Sequence, residues 1–200
     1  MEHDDEPVRG LPGPLPAGET ILWQGAPHAA TLARTALKTR WAAGYFAAFA
    51  LIGLGQGSIA GALATAGAGL FCLVLLGAFA WGVSRTTVYT LTNRRLVLRI
   101  GVALTVCYNL PLKALTAGDL RPLGNGFGDI ALSIGGARIG YALLWPHVRP
   151  WRLRDPQPML RAIPDAEAVA ARLVRARATI GPIAPVAAAE PTPILIGAAA

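Results

Sequence analysis

From Trp41 to Ser84 the chain carries no Asp, Glu, Lys, Arg or His. A single helix of that length would be about twice as long as the roughly 30 Å bilayer core. The pattern therefore predicts two spanning helices joined by a tight turn. The split falls at Gly55-Gln56-Gly57-Ser58, where the run has turn chemistry. The first span is expected over Trp41 to Leu54, entering from about Leu37 with Lys38 and Arg40 snorkelling. The second is expected over Ala62 to Trp81, around the run from Leu70 to Leu76. Soluble helices that are apolar on every face are short and rare, so a buried hairpin of a soluble protein is the weaker reading. Gly53, Gly57 and Gly61 repeat at a spacing that lets helices approach closely, although a turn would use the same residues.

Beyond the run the period changes to two. Thr87 to Thr92 alternates around Tyr89, Asn93-Arg94 supplies a short turn, and Leu96, Leu98 and Ile100 share one strand face. Further strands are expected at Leu104 to Leu110, Leu112 to Leu120, Gly128 to Ile134 and Ile139 to Trp145. Glycines at 101, 118, 124, 126, 135 and 136 punctuate them as in an antiparallel sheet or barrel. Pro164-Asp165 then starts a helix whose stripe is Ala166, Val169, Ala170, Leu173 and Val174, expected to cap the open side of the sheet.

Before the apolar run, a short stretch ending Ile21-Leu22-Trp23-Gln24-Gly25 reads as a strand that joins the later sheet. The organisation is then a cytoplasmic segment at 1–30, with 17–25 in the sheet, and an interfacial helix at 31–40. A membrane hairpin at 41–84, a folded domain at 86–178 and a disordered tail at 179–200 follow.

Charge gives the orientation. Arg34, Lys38 and Arg40 precede the hairpin; Arg85, Arg94, Arg95 and Arg99 follow it; the turn between is uncharged. By the positive-inside rule both termini are expected to be cytoplasmic. The net charge of +7 is mostly arginine near the membrane, which fits anionic headgroups better than nucleic acid. Cys72 falls in a span and Cys107 in a cytoplasmic strand, so no disulfide is expected. The acidic start Met1-Glu2-His3-Asp4-Asp5-Glu6 is unlike a signal peptide, so insertion is assigned to the first span.

The order of Gly18-Glu19, the apolar hairpin and Thr90-Leu91-Thr92-Asn93-Arg94-Arg95 resembles bacterial pleckstrin-homology-like domain proteins. That resemblance implies an α+β membrane protein, with a two-helix transmembrane hairpin and a PH-like antiparallel sheet or half-barrel capped by a C-terminal helix. A narrower resemblance rests on Glu6 to Pro12, Leu144 to Leu153, Pro156 to Leu160 and Pro164-Asp165. These stretches are similar to the PuhB-type photosynthetic complex assembly proteins of purple phototrophic bacteria. The resemblance implies a non-enzymatic, oligomeric assembly factor in the intracytoplasmic membrane, with reaction-centre and core-antenna (light-harvesting 1) subunits as partners. It supplies no catalytic residue.

Two groups of candidate site residues remain. Trp145, His147, Arg149, Trp151, Arg152 and Arg154 form a basic, aromatic edge suited to a protein partner. The simpler reading is an irregular strand with tryptophans in the core and arginines in water. Arg34, Lys38, Arg40, Arg85, Arg94 and Arg95 are candidates for lipid headgroups. A lipid-surface sensor and a pigment-delivery protein, the latter using His147 or His28, are the alternative functions. Neither span holds a His, and a lone His is more often hydrogen-bonded than ligating. Gly124 to Asp129 lacks the Lys and the following helix of a phosphate loop and reads as a turn between strands. No paired metal ligands and no nucleophile motif appear, so no catalytic site, metal or cofactor is expected.

Overall fold

A computed structural model describes residues 10–180 apart from positions 12, 103, 137 and 138. The expectations for residues 1–9 and for the tail from 181 onward lie outside the described residues.

The apolar run folds into a helical hairpin. Helix α2, Thr39–Gly55, and helix α3, Ile59–Thr86, pack against each other along their length. The turn between them uses Gly57 at φ +74, a backbone state that L side chains avoid. Ser58 caps α3 by accepting from the Gly61 N–H. Small residues bring the helices together: a Cβ at Gly53 would lie 3.2 Å from the Ala62 nitrogen, and one at Gly69 2.6 Å from the Phe46 Cβ. Of the two helices, α3 is long and apolar enough to cross a membrane, and only 11% of its most apolar stretch is buried. At 17 residues α2 spans about 25 Å, short of a roughly 30 Å core on its own.

The interfacial helix expected over 31–40 is interrupted. Helix α1 covers Ala29–Thr35, and Lys38 adopts a left-handed conformation at φ 54 before α2 begins. The break lets α1 turn its apolar side onto α3. Leu32 is fully buried with Ala80, Val83 and Ala162, and Ala33, Ala36, Leu37 and Phe79 pack around them.

Two antiparallel sheets follow. Strands β1 (Ile21–Gly25), β2 (Val88–Thr92), β3 (Arg95–Ile100) and β4 (Val106–Pro111) lie in the order β1-β2-β3-β4. Strand β1 therefore reaches past the helical hairpin to pair with β2, Trp23 opposite Leu91. Strands β5 (Leu115–Gly124), β6 (Phe127–Ile134) and β7 (Met159–Pro164) form the second sheet. A short helix α4 (Tyr141–Leu144) precedes β7, and helix α5 (Ala166–Ala178) follows it. The main core joins both sheets to α5 through Tyr89, Leu96, Leu98, Leu112, Ile130, Leu132, Leu160 and Leu173. The protein is thus α+β, an antiparallel sheet structure with helices.

Three local expectations change. Ile139 to Trp145 is not a strand: Tyr141–Leu144 coils into α4, burying Leu144 and leaving Leu143 out. Leu112 to Leu120 starts as a 3₁₀ turn at Leu112–Ala114, and β5 takes over from Leu115. On α5, Val174 is exposed, and Ala176 completes the buried stripe with Ala166, Val169 and Leu173. That stripe at i, i+3, i+7 and i+10 keeps one face of a 3.6-residue helix on the core.

Candidate functional site

The exit of α3 is fastened to the sheets by a buried polar cluster. Thr87, the residue capping α3, Tyr89 of β2, His147, Arg161 of β7 and Asp129 of β6 are all buried. The Arg161 backbone N–H donates to the Tyr89 hydroxyl at 3.2 Å, and that hydroxyl lies 2.7 Å from His147 Nδ1. The other ring nitrogen, Nε2, is 3.2 Å from the Thr87 hydroxyl. The imidazole is thus held at both ring nitrogens by hydroxyls, each of which can donate or accept.

Electrostatics favour the neutral form of the ring. Burial, and then the Arg161 charge, push the His147 pKa down to about 3. Burial also drives the Tyr89 phenol well above its ordinary range. Arg161 donates from Nε to the Pro146 carbonyl at 3.1 Å and from Nη2 to the Val148 carbonyl at 2.9 Å. Its guanidinium approaches Asp129 Oδ2 at 3.6 Å, while Asp129 Oδ1 accepts from the Ala162 N–H at 2.8 Å. Burial lowers the Arg161 pKa and Asp129 opposes the shift. With both ring nitrogens taken and the side chain 1% exposed, His147 is not available as a pigment or metal ligand. It also leaves the partner-facing edge to which the sequence assigned it.

The rest of that edge divides. Trp145 stacks on Phe79 of α3 at 5.4 Å between ring centroids. Arg149 donates to Asp119 on β5 and to Gln157 Oε1, and its backbone N–H bonds the Gln157 carbonyl. With the Val148–Pro158 bridge, these contacts close the base of a loop. Trp151, Arg152, Leu153 and Arg154 form its exposed outer part, with Trp151 92% exposed. The structure therefore keeps Trp151, Arg152 and Arg154 together and outward.

The basic residues also separate. Arg34, Lys38, Arg40 and Arg85 are exposed around the ends of α1, α2 and α3, with Arg85 over the Trp81 ring at 5.4 Å. Arg94 and Arg95 lie one strand away, at the far end of β2, about 16 Å along the sheet. Arg95 is not a free headgroup ligand: its Nε donates to Glu19 Oε1 at 2.7 Å. Thr92 donates to the same oxygen, and Asn93 bonds the Gly18 carbonyl and the Thr20 N–H. Burial alone would raise the Glu19 pKa, but Arg95 and Thr92 hold it below the usual carboxylate value. His28 stacks on Phe127 and shares a hydrogen bond with Thr31.

Arg161 and Asp129 escaped the sequence reading. An arginine inside a short apolar stretch between prolines does not advertise a buried strand. Among the described residues, no group of three or more His, Cys, Asp or Glu comes together as a metal site.

Residues 42–177 match the bacterial PH domain family. The chain belongs to that family. It is 44% identical over 183 residues, 84% of each chain, to a Rhodobacter capsulatus protein described as an uncharacterized 23.7 kDa protein in the puhA 5′ region. A solved structure from Shewanella loihica PV-4, a DUF1696 family protein with a pleckstrin-homology domain, matches at 17% identity with a TM-score of 0.31. It covers 46% of this chain and 71% of its own, a likeness too weak to support structural argument.

Proposed function

We propose that this chain is a non-enzymatic, membrane-anchored assembly factor for a photosynthetic reaction centre and its core antenna. The observation behind this reading is the pairing of a PH-family domain with an outward-apolar helical hairpin in a chain whose 44% identical relative is encoded beside a photosynthesis gene, puhA. Leu63, Leu70, Phe71, Val74 and Leu75 of α3 and Tyr45, Phe49 and Leu51 of α2 all point outward. Such a hairpin sits in lipid and offers its sides to other membrane helices. Both helices enter the bilayer in this reading, α2 reaching its full depth with help from snorkelling Lys38 and Arg40, and the basic flanks keep both termini cytoplasmic. The Trp151–Arg154 loop then projects from the domain as the contact for a client subunit, and the factor acts as a homo-oligomer.

The near-infrared spectrum of membranes from a strain lacking the gene tests this. Reaction-centre and core-antenna bands should fall, with pigment synthesis retained and complementation restoring them. An unchanged spectrum with normal phototrophic growth would sink the assembly reading.

A further inference from the structure

We propose that the folded domain rests directly on the bilayer, inserting the Leu143–Trp145 turn and the loop holding Val102 and Leu104 at the headgroup–acyl boundary beside α3. This rests on the reading of α3 as a membrane span. The side chains are of the right kind and unusually exposed: Leu104 at 82%, Leu143 at 64%, Trp145 at 52% and Val102 at 46%. They are not scattered. Trp145 stacks on Phe79, and Val102 Cγ1 lies 3.4 Å from where a Cβ on Gly82 would stand. Phe79 and Gly82 are one turn apart, so two loops from different parts of the domain meet α3 at one level.

That level coincides with the edge of the hydrocarbon. Counting from the turn at Ile59, twenty residues of helix at about 1.5 Å each put Phe79 about 30 Å up, the thickness of a bilayer core. Trp81 lies at the same height, 59% exposed, with Arg85 over its ring. Trp residues favour this layer, where an apolar ring and a polar N–H are both satisfied, and arginine favours the phosphates just above it. Trp145 and Val102 join the loops to α3, whose exposed face is itself apolar at Leu70, Phe71, Val74 and Leu75, and this selects lipid as the occupant. The geometry of the β2–β3 hairpin agrees. Its tip at Arg94 is carried away from α3, while the other end of β3 returns to Gly82.

The full chain in phosphatidylcholine–phosphatidylglycerol vesicles tests this through its own five tryptophans. Variants retaining only Trp81, only Trp145 or only Trp23, the others replaced by Phe, are measured with lipids brominated near the glycerol or deep in the acyl chain. Trp23 packs against the main core and serves as the soluble reference. Trp145 should be quenched by the shallow bromines to within about twofold of Trp81, with Trp23 unaffected. Quenching of Trp81 but not Trp145 would overturn the proposal and leave the span intact. Absence of quenching at both would remove the span and the proposal together. Trp145 shielded from lipid and from aqueous acrylamide alike would give the patch to a second copy or another protein, which also overturns it. A nitroxide on Leu104→Cys, with Cys72 and Cys107 replaced by Ser, reads the other loop independently. It should favour oxygen over a polar nickel relaxant, and the reverse preference would count against insertion.

Discussion

Glu19 and Arg95 stand 76 positions apart and meet at 2.7 Å, one on the chain approaching the helical hairpin and the other on the chain leaving it. The pair closes a ring of polypeptide around α2 and α3. Thr92 and Asn93 reinforce it by bonding Glu19, Gly18 and Thr20. The residues that carry the family resemblance on either side of the hairpin are therefore one another's partners.

Glu19→Gln should destabilise the protein by about 2 kcal/mol, because the neutral amide leaves the partly buried Arg95 without a counter-charge. Its sign with pH follows from the lowered carboxyl pKa. The stabilisation is complete above the ordinary glutamate value near 4.3 and is lost as pH falls through the lower folded value. Thermal unfolding in detergent micelles should show this acid limb in the parent and its absence in the variant. An equal acid limb in both proteins would dismiss the ion pair as its source.

His147 acts in a different window. Its folded pKa near 3 lies below the free value of 6.5, so below pH 6.5 the unfolded chain takes up a proton that the folded protein refuses. Stability should fall by about 1.4 kcal/mol per pH unit from 6.5 downward, on account of this group. In His147→Gln the slope between pH 6.5 and 5.5 should disappear, a window in which Glu19 is ionised in both states. A retained slope would mean that another group titrates there.

Much of this architecture can be read from the residues, and the exceptions have physical causes. The turn at Gly55–Ser58 stands out because it interrupts an otherwise uniformly apolar run, and α2 and α3 flank it. Strands β2 and β3 announce themselves by alternation on either side of Asn93-Arg94. Strand β7 does not, since Arg161 looks like a surface residue until Asp129, Pro146 and Val148 are brought to it from distant positions. His147 misleads for the same reason. Its neighbours Trp145, Arg149 and Trp151 suggest an exposed edge, and only the fold brings Tyr89 and Thr87 to its two nitrogens. Local pattern reveals elements, whereas a buried polar side chain is defined by partners far along the sequence.

Asp129→Ala should be among the most damaging single changes in the domain. It removes the acceptor for the Ala162 N–H and leaves the Arg161 guanidinium buried without its counter-ion. A cost of about 3–5 kcal/mol is expected. Pairing it with Arg161→Met should recover part of that loss, because the uncompensated charge is gone. Chemical unfolding of both variants decides the matter, and a double variant no better than Asp129→Ala would show that the charge was not the source.

Gly69→Ala should part α2 from α3. The added methyl would sit 2.6 Å from the Phe46 Cβ, and neither backbone can yield without opening the hairpin. Overpacking of this kind costs about 1–3 kcal/mol. Phe46→Gly in the same chain removes the very Cβ that the methyl meets and should restore the approach, less the roughly 1 kcal/mol that glycine costs inside a helix. If Gly69→Ala melts like the parent in lipid nanodiscs, the close contact does not hold the hairpin together.

The Trp151–Arg154 loop allows folding and function to be separated. Trp151 is 92% exposed, and Arg152 and Arg154 are also at the surface, so replacing all three by Ala should leave the melting behaviour within about 0.5 kcal/mol of the parent. The base of the loop stays closed, since Arg149, Gln157 and the Val148–Pro158 bridge are untouched. If this loop grips a client subunit, the triple variant should accumulate normally in membranes yet restore less than half of the core-antenna absorption when it complements the deletion strain. A photo-crosslinker at position 151 should capture the client in growing cells. Full restoration of the bands by the triple variant would move the client contact to the sides of α2 and α3.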